Sequence, residues 1–294
     1  MTNDFRSTTR RQLEELRTLY EIRPHFRDVV VEGRDDAALL RWYLAQCSMR
    51  NVRVYAVDDR VEIPSEAVKK VGQDIGARGR VIALAHEFDR WSTRQPTLTC
   101  IVDGDFKLFE PMPDSSSLLT TDYAAMEIYS LGDRPLSKFL SICARTDLSA
   151  SLILDTLNPV WTALYVIRFI LHRHAGGHSL VKKFAEKSLA TNGDVTLDAR
   201  ELLRASISGA GKEEVGRLFD LYMEHLERVP PNTLHGIRGH DVAPLLIRLL
   251  GLQNELAIPS VVEHLLRQSI DPLDLDENQL FIDLRNRLTN PFNV

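Results

Sequence analysis

The chain has 294 residues, enough for one large domain or two ordinary ones. Hydrophobic residues make up 44% and charged residues 26%, a balance that is typical of soluble globular proteins and excludes a disordered or fibrous chain. The formal net charge of -5 excludes a polycation, so contact with nucleic acid would require a local basic patch, a bound metal ion or a basic partner.

The cysteine pattern and the apolar runs indicate a cytoplasmic protein without a membrane segment. Three cysteines lie far apart and form no CxxC pair, which indicates reduced core residues: Cys47, Cys100 and Cys143. Residues 1–11 lack the apolar stretch of a signal peptide. The apolar run at 160–171 contains Arg168 and is too short to span a bilayer, so we expect a buried helix there.

Strands and helices alternate in the N-terminal half. The predicted elements are a helix at 9–21, a strand at 29–31, a helix at 36–46, a strand at 52–57, a helical stretch after Pro64 that Gly72, Gly76 and Gly79 interrupt, a helix at 80–91, a strand at 98–102 and a β-like run at 118–121. Crossovers of this length predict a parallel sheet with helices on both faces.

The C-terminal half is predicted to be helical. The candidate helices span 135–144, 151–171, 179–190, 197–207, 212–228, 241–251, 260–269 and 276–288. Ser260 and Glu263 have the spacing of a capping box. The fold class predicted from these patterns is α/β, a parallel sheet flanked by helices and followed by a mainly helical region. The predicted domains are an N-terminal helix at 1–24, an α/β domain at 25–135 and a helical domain at 136–294.

Acidic residues follow two of the predicted strands. Glu32 follows the first strand, Asp103 and Asp105 follow the third, and Asp36 lies one helical turn beyond Glu32. Ligands of open parallel sheets bind at the carboxyl ends of the strands, where these side chains would converge. Such carboxylates repel one another unless a cation lies among them, and oxygen ligands favour Mg²⁺ or Mn²⁺. The sequence therefore predicts a divalent-metal site that suits phosphate chemistry.

Two motifs carry a resemblance to a known family. The stretches "VVVEGRDD" and "CIVDGDF" resemble the Toprim domain of primases, type II topoisomerases and OLD-type nucleases, in which a Glu ends the first strand and a DxD ends a later one. Glu32 matches the Glu, and Asp103 and Asp105 match the DxD. The spacing of Glu32 and Asp36 is similar to the acidic pair of OLD-like nucleases. The motifs cover about residues 28–130.

A subgroup is also similar, namely the stand-alone OLD-like Toprim proteins of bacterial anti-phage operons. The matching residues are Thr121, Asp122 and Tyr123 followed by Glu127, and later Gly239, His240 and Asp241. This subgroup includes the Toprim effectors of the PARIS defence systems. The resemblance implies a toxic Mg²⁺-dependent nuclease, switched by an ABC-type ATPase in trans, with RNA, and tRNA in particular, favoured over DNA as substrate.

Each candidate site residue has an expected role under this hypothesis. Glu32, Asp103 and Asp105 are the expected metal ligands. Asp36 and Glu127 would complete a second site or hold the ligands in place, and Lys107 would carry a positive charge near the scissile phosphate. Arg238 and His240 are candidates for substrate binding. Ordinary alternatives stay open. Glu32 could be an ordinary strand-to-loop residue, Asp103 and Asp105 could form a turn, and Asp36 could serve the helix N-terminus. Glu127 could belong to an exposed helix face, and Asp241 could be an N-cap.

Other polar stretches are weaker candidates. Residues 208–212 resemble a phosphate loop but lack its first Gly and its Ser or Thr, so no nucleotide-hydrolysis loop is expected. His174 and His178 have a zinc-ligand spacing, although Gly176 and Gly177 are expected to end that helix. A basic rim for nucleic acid could be formed by Lys69, Lys70, Arg78, Arg80, Arg90 and Arg94, although a solvated helix face is the commoner meaning of such residues.

Two further functions compete with the nuclease hypothesis. One is a regulatory module whose acids hold Mg²⁺ without catalysis, and the other is a polymerase or a topoisomerase-like Toprim protein. The helical half would bind a partner, clamp substrate or form a homodimer.

Overall fold

A computed structural model describes residues 10–91, 98–207, 209 and 211–289. The strands are β1 (Arg11–Gln12), β2 (Asp28–Val31), β3 (Arg53–Ala56), β4 (Val61–Glu62), β5 (Leu98–Val102) and β6 (Leu118–Thr120). The helices of the N-terminal half are α1 (Leu13–Ile22), α2 (Arg34–Gln46), α3 (Val57–Arg60), α4 (Ser65–Lys70) and α5 (Ala77–Arg90). The later helices are α6 (Asp133–Lys138), α7 (Ala150–His174), α8 (Phe184–Ser188), α9 (Ala199–Ser206), α10 (Lys212–Leu226), α11 (Gly239–Leu250), α12 (Pro259–Ser269), α13 (Pro272–Leu275) and α14 (Gln279–Thr289).

The chain divides into two compact units. The first contains the described residues of Met1–Gly104, Met112–Asp122 and Leu275–Val294, and the second contains those of Asp105–Pro111 and Tyr123–Asp274. The last helix therefore belongs to the first unit. The predicted domain boundaries at residues 24 and 135 stay a prediction. The described residues do not include Thr9, Arg94, Ser208 and Ala210, on which parts of the sequence predictions fall.

The first unit is built on a parallel four-stranded sheet with the strand order β3-β2-β5-β6. Val30 lies opposite Tyr55 on one side and Cys100 on the other, which fixes the register of the central strands. Every residue of β2 and β5 is buried, as expected for strands covered on both faces. A separate pair, β1 and β4, is also parallel. The predicted α/β class with a helical C-terminal region is confirmed.

The strand order creates a topological switch point. The chain leaves β2 for β3 on one side and then returns to place β5 on the other side of β2. Right-handed crossovers put the connecting helices of these two steps on opposite faces of the sheet. A crevice therefore forms at the carboxyl ends of β2 and β5, which is where open α/β sheets bind ligands. Flavodoxin-like sheets have the same order in their first four strands and bind their ligand at the corresponding point.

A buried polar group anchors the opposite end of β2. The Tyr20 hydroxyl donates a hydrogen bond of 2.9 Å to Oδ2 of Asp28, and Nη2 of Arg60 lies 2.7 Å from the same oxygen. Burial raises the pKa of the Asp28 carboxyl, while Arg60 opposes that shift. The paired guanidinium and hydroxyl replace the water that the buried carboxylate has lost. They thereby fix α1 and α3 to the sheet.

The second unit is built around α7, against which α6, α9, α10 and α11 pack. By length and composition α7 could cross a membrane, but 61% of its apolar window is buried within the protein. Arg168, on this helix, forms a two-pronged ion pair with the fully buried carboxylate of Asp241, with Nε and Oδ2 2.7 Å apart. The predicted buried helix is confirmed and is longer than expected.

Several sequence predictions need correction. Ser260 does not open a capping box, because Pro259 already occupies the first turn of α12 and Ile258 is its N-cap. Asp241 is not an N-cap, because α11 begins at Gly239 and uses Asp241 to pair with Arg168. The predicted helix at 179–190 is only the short α8, since Gly176 and Gly177 adopt positive φ and residues 178–181 are not helical.

Three other boundaries differ for local reasons. Helix 135–144 divides into α6 and a π-helical turn at Phe139–Ala144, which ends where Arg145 adopts a positive φ of 55°. Helix α1 begins later than predicted because Arg11–Gln12 pairs with β4. The sequence predicts that Gly79 interrupts a helix, yet Gly79 lies inside the first turn of α5. A Cβ on Gly79 would overlap the carbonyl oxygen of Asp74 and approach Cγ1 of Val68 to 2.9 Å.

Gly79→Ala therefore tests the packing of the start of α5. We expect a loss of about 2 kcal/mol in the free energy of unfolding, because the added methyl group meets rigid backbone. Gly76→Ala is the matched control, because a Cβ at Gly76 has no neighbour within 4 Å and its φ of -163° suits any residue. Urea denaturation of both variants measures the difference. Equal stability of the two variants would contradict the described packing.

Candidate active site

Glu32 and Asp103 lie at the switch point of the first unit. Each directly follows one of the two adjacent parallel strands, β2 and β5. Oε1 of Glu32 accepts a hydrogen bond of 2.9 Å from the backbone N–H of Asp103. The side chain of Glu32 is 20% exposed, so its charge is only partly screened by water. The structure thus brings the first predicted ligand to the backbone of the second.

Arg78 supplies a positive charge to these two residues. It lies in the first turn of α5, and its Nη1 is 3.7 Å from Oε1 of Glu32. The same nitrogen donates a hydrogen bond to the carbonyl oxygen of Asp103. The sequence indicates for Arg78 only a place in a general basic rim. Its contacts with Glu32 and Asp103 depend on how α5 packs on β5, which no local pattern shows.

Asp36 lies in the first turn of α2, close to the end of β2. The N-cap of this helix is Gly33, which has no side chain to cap it. Because α2 begins at Arg34, Asp36 is its third residue. Its Oδ2 would lie 3.2 Å from a Cβ placed on Gly33. The carboxylate thus folds back towards Gly33, where the positive end of the helix dipole favours a negative charge. Its predicted part in catalysis stays a prediction.

Thr121 and Asp122 have roles that the motif alone did not reveal. Oγ1 of Thr121 accepts a 2.8 Å hydrogen bond from the backbone N–H of Gly104, which fixes the chain just after Asp103. The carboxylate of Asp122 accepts hydrogen bonds from the backbone N–H groups of Gln279 and Leu280, at 3.1 and 3.2 Å. Asp122 therefore caps α14 across a long sequence separation, a contact that no local pattern predicts.

Asp105 and Lys107 belong to the second unit. Asp105 adopts a positive φ of 36°, a conformation that Asp tolerates better than most residues. Its backbone N–H donates to the carbonyl of Ala124 at 2.9 Å, and its carbonyl accepts from the Tyr165 hydroxyl at 2.9 Å. These bonds fix the backbone at Asp105. Lys107 is half-buried.

Glu127 also belongs to the second unit, where it forms an ion pair with Arg267. The two side chains are 14% and 13% exposed, so this pair is shielded from water. A Cβ on Gly239 would come within 2.6 Å of Oε2 of Glu127, which explains why a glycine opens α11 here. The exposed-face alternative for Glu127 is therefore wrong, and its role as a metal ligand stays a prediction.

Arg238 and His240 flank that glycine. The guanidinium of Arg238 lies 5.8 Å from the ring centroid of Phe106. Nδ1 of His240 lies 3.4 Å from Oε1 of Glu263, and this hydrogen bond raises the pKa of His240 above its ordinary value. The imidazole is largely exposed. The guanidinium of Arg238 supplies the positive charge that contact with an anion requires, and the raised pKa of His240 favours the protonated form of its ring.

The oxygen donors of Glu32 and Asp103 are of the kind that a divalent cation prefers. Carboxylate and carbonyl oxygens are the donors that Mg²⁺ and Mn²⁺ prefer. The positively charged guanidinium of Arg78 already contacts two such oxygens, one of Glu32 and one of Asp103. Within the ranges that the structure describes, no group of three or more His, Cys, Asp or Glu side chains is arranged to hold a metal ion. Glu32 and Asp103 would by themselves supply only part of a ligand set.

Comparison with known proteins adds no further assignment. No protein-family model matches the chain, and a search of curated proteins finds no match. Any function assigned to the chain therefore rests on the geometry of the strand ends and on the motifs.

The His240–Glu263 contact predicts a pH-dependent interaction. Because the carboxylate favours the protonated ring, the pair contributes fully below the ordinary pKa of 6.5 and is lost as the pH rises through the raised pKa. We expect Glu263→Gln to lower the pKa of His240 towards 6.5 in an NMR titration of the ring. Glu255→Gln, at an exposed acid, is the control and should leave the titration unchanged. An unaltered His240 titration in Glu263→Gln would contradict the contact.

Proposed function

We propose that this chain is a Toprim-type, Mg²⁺- or Mn²⁺-dependent phosphodiesterase that cleaves nucleic acid. The observation that carries the proposal is the position of Glu32 and Asp103 at the carboxyl ends of two adjacent parallel strands, at the switch point of the sheet. The contact of Arg78 with Glu32 also supports the proposal, because it shows that this position binds a positive charge. The resemblance of Glu32, Asp103 and Asp105 to the Toprim motifs supports the same proposed function.

Glu32 and Asp103 would hold the ion, and Asp105 is the third expected ligand. When bound, a divalent ion supplies charge for the phosphoryl oxygens and activates water. Thr121 fixes the backbone after Asp103 and so keeps the ligand in position. Asp36 would orient the groups around Glu32, Glu127 would hold ligands in place, and Lys107 would bind the scissile phosphate.

The substrate class and the biological role derive from the resemblance. RNA, with tRNA as the first candidate, is favoured over DNA, and the toxic activity would serve a cytoplasmic anti-phage defence module switched by an ABC-type ATPase. Lys69 and Lys70 are exposed in the last turn of α4 and could contact a phosphate backbone. Arg80 and Arg90 pair with Asp58 and Glu87, which makes them weaker candidates. Arg238 and His240 would bind substrate, and the helical region would bind a partner or a second copy.

A second function is favoured by two features of the structure. The described part of the chain contains no group of three metal-binding side chains, and Glu32 is paired with Arg78. These features also suit a regulatory module that binds a cation, or nucleic acid, without cutting. An assay for metal-dependent cleavage of nucleic acid distinguishes the two functions, because only the phosphodiesterase would cut.

Glu32→Gln tests the catalytic proposal. Loss of the charge should lower metal-dependent phosphodiesterase activity roughly 100-fold, because a ligand is removed while the side-chain volume is kept. Glu66→Gln, at an exposed acid in the first turn of α4, is the control. Circular-dichroism melting checks that both variants fold. Full activity of Glu32→Gln would remove the proposed site.

A substrate panel tests the preference for RNA. Purified protein is incubated with tRNA, with single-stranded RNA or with supercoiled plasmid, each in Mg²⁺, Mn²⁺ or EDTA. We expect cleavage of RNA that EDTA abolishes. Cleavage of plasmid alone would favour an OLD-type DNA nuclease, and no cleavage of any substrate would favour the regulatory module.

A further inference from the structure

A guanidinium group lies where the proposed function places a metal ion. Nη1 of Arg78 contacts both Glu32 and the carbonyl of Asp103, while Glu32 in turn accepts from the N–H of Asp103. The three groups form a closed ring at the end of β5. Any divalent ion held by Glu32 would lie against the positive charge of Arg78.

We propose that Arg78 is the counter-cation of the metal-free site, and that it leaves Glu32 when the metal binds and then binds the substrate phosphate. The inference rests on the proposed function, because it assigns a role within the same site. Arg78 would thus link occupation of the metal site to recognition of the phosphate group.

The charge of Arg78 explains why it must move. A guanidinium does not lose its proton in proteins, so it cannot give way to a metal by deprotonation. The side chains of Arg78 and Glu32 are 24% and 20% exposed, and partial burial weakens the screening between charges. Two cations cannot share the carboxylate of Glu32 without repulsion, so the metal and Arg78 compete for it.

The surroundings of Arg78 allow that movement. Its backbone is fixed, because Gly79 packs against the carbonyl of Asp74 at the start of α5. The contacts of its side chain include the ion pair with Glu32, the hydrogen bond to the carbonyl of Asp103 and a 3.8 Å contact of Nη2 with Sδ of Met112. All three contacts are made by the guanidinium at the tip of a long side chain, which can be redirected by rotation about its side-chain bonds. A phosphate is the anion that a guanidinium binds best, through two parallel hydrogen bonds.

Calorimetric titration with Mn²⁺ tests the competition without any activity measurement. Arg78→Met removes the charge and keeps much of the apolar stem, so we expect it to bind Mn²⁺ roughly fivefold more tightly than the natural protein. Arg78→Lys keeps a charge and should stay close to the natural affinity. Arg80→Met is the matched control, because Arg80 lies on the same helix, is 21% exposed and pairs with Asp58 instead of Glu32.

The phosphate role has a separate readout. In cleavage assays at saturating Mn²⁺, Arg78→Met should raise KM for nucleic acid more than it lowers kcat, and Arg78→Lys should restore part of the loss. Melting curves establish that the variants fold, and Arg78→Gln replaces Arg78→Met if the latter does not.

The outcomes separate this inference from the proposed function. If the natural protein binds Mn²⁺ and Arg78→Met binds it equally or more weakly, the counter-cation role is overturned while the metal site stands. If the natural protein takes up no Mn²⁺, both the metal site and the role of Arg78 are overturned. Tighter binding by Arg78→Met and by Arg80→Met alike would show a general charge effect and would also overturn the inference.

Discussion

The guanidinium of Arg78 contacts both the carboxylate of Glu32 and the carbonyl oxygen of Asp103, just after β5. The rest of the proposed chemistry depends on this one shared positive charge. A parallel sheet with the order β3-β2-β5-β6 brings the ends of β2 and β5 side by side. A half-buried Glu at such a point is costly without a partner, because burial disfavours the ionised form. Arg78 is such a partner in the structure, and the proposal has a metal ion take its place when the metal binds.

The main elements of the first unit could be predicted from the sequence because their signals are local. The β-branched run at 29–31 and the apolar run at 98–102 identify buried strands, and their following acids mark the carboxyl ends. Strand order, however, is set by packing, so the switch point became visible only in the structure. The same is true of Arg78, whose contact with Glu32 spans two elements far apart in sequence.

Motif residues proved harder to interpret than strands. Thr121 and Asp122 were noted as part of a resemblance, yet the structure shows them holding the backbone at Gly104 and capping α14. The N-cap alternative for Asp241 is wrong, because Asp241 is a buried partner of Arg168 that also accepts a hydrogen bond, through its carbonyl, from Trp161. Each of these roles requires a partner more than 15 residues away, which no local pattern can specify. Short polar motifs can therefore reflect fold stability as well as chemistry.

The most direct measurement is anomalous diffraction from crystals grown with Mn²⁺. The account predicts an anomalous peak at the carboxyl ends of β2 and β5, about 2.0–2.2 Å from oxygens of Glu32 and Asp103. It also predicts that Arg78 no longer contacts Glu32 in those crystals. Crystals that hold Mn²⁺ elsewhere, or that show no peak while Arg78 still contacts Glu32, would contradict the account.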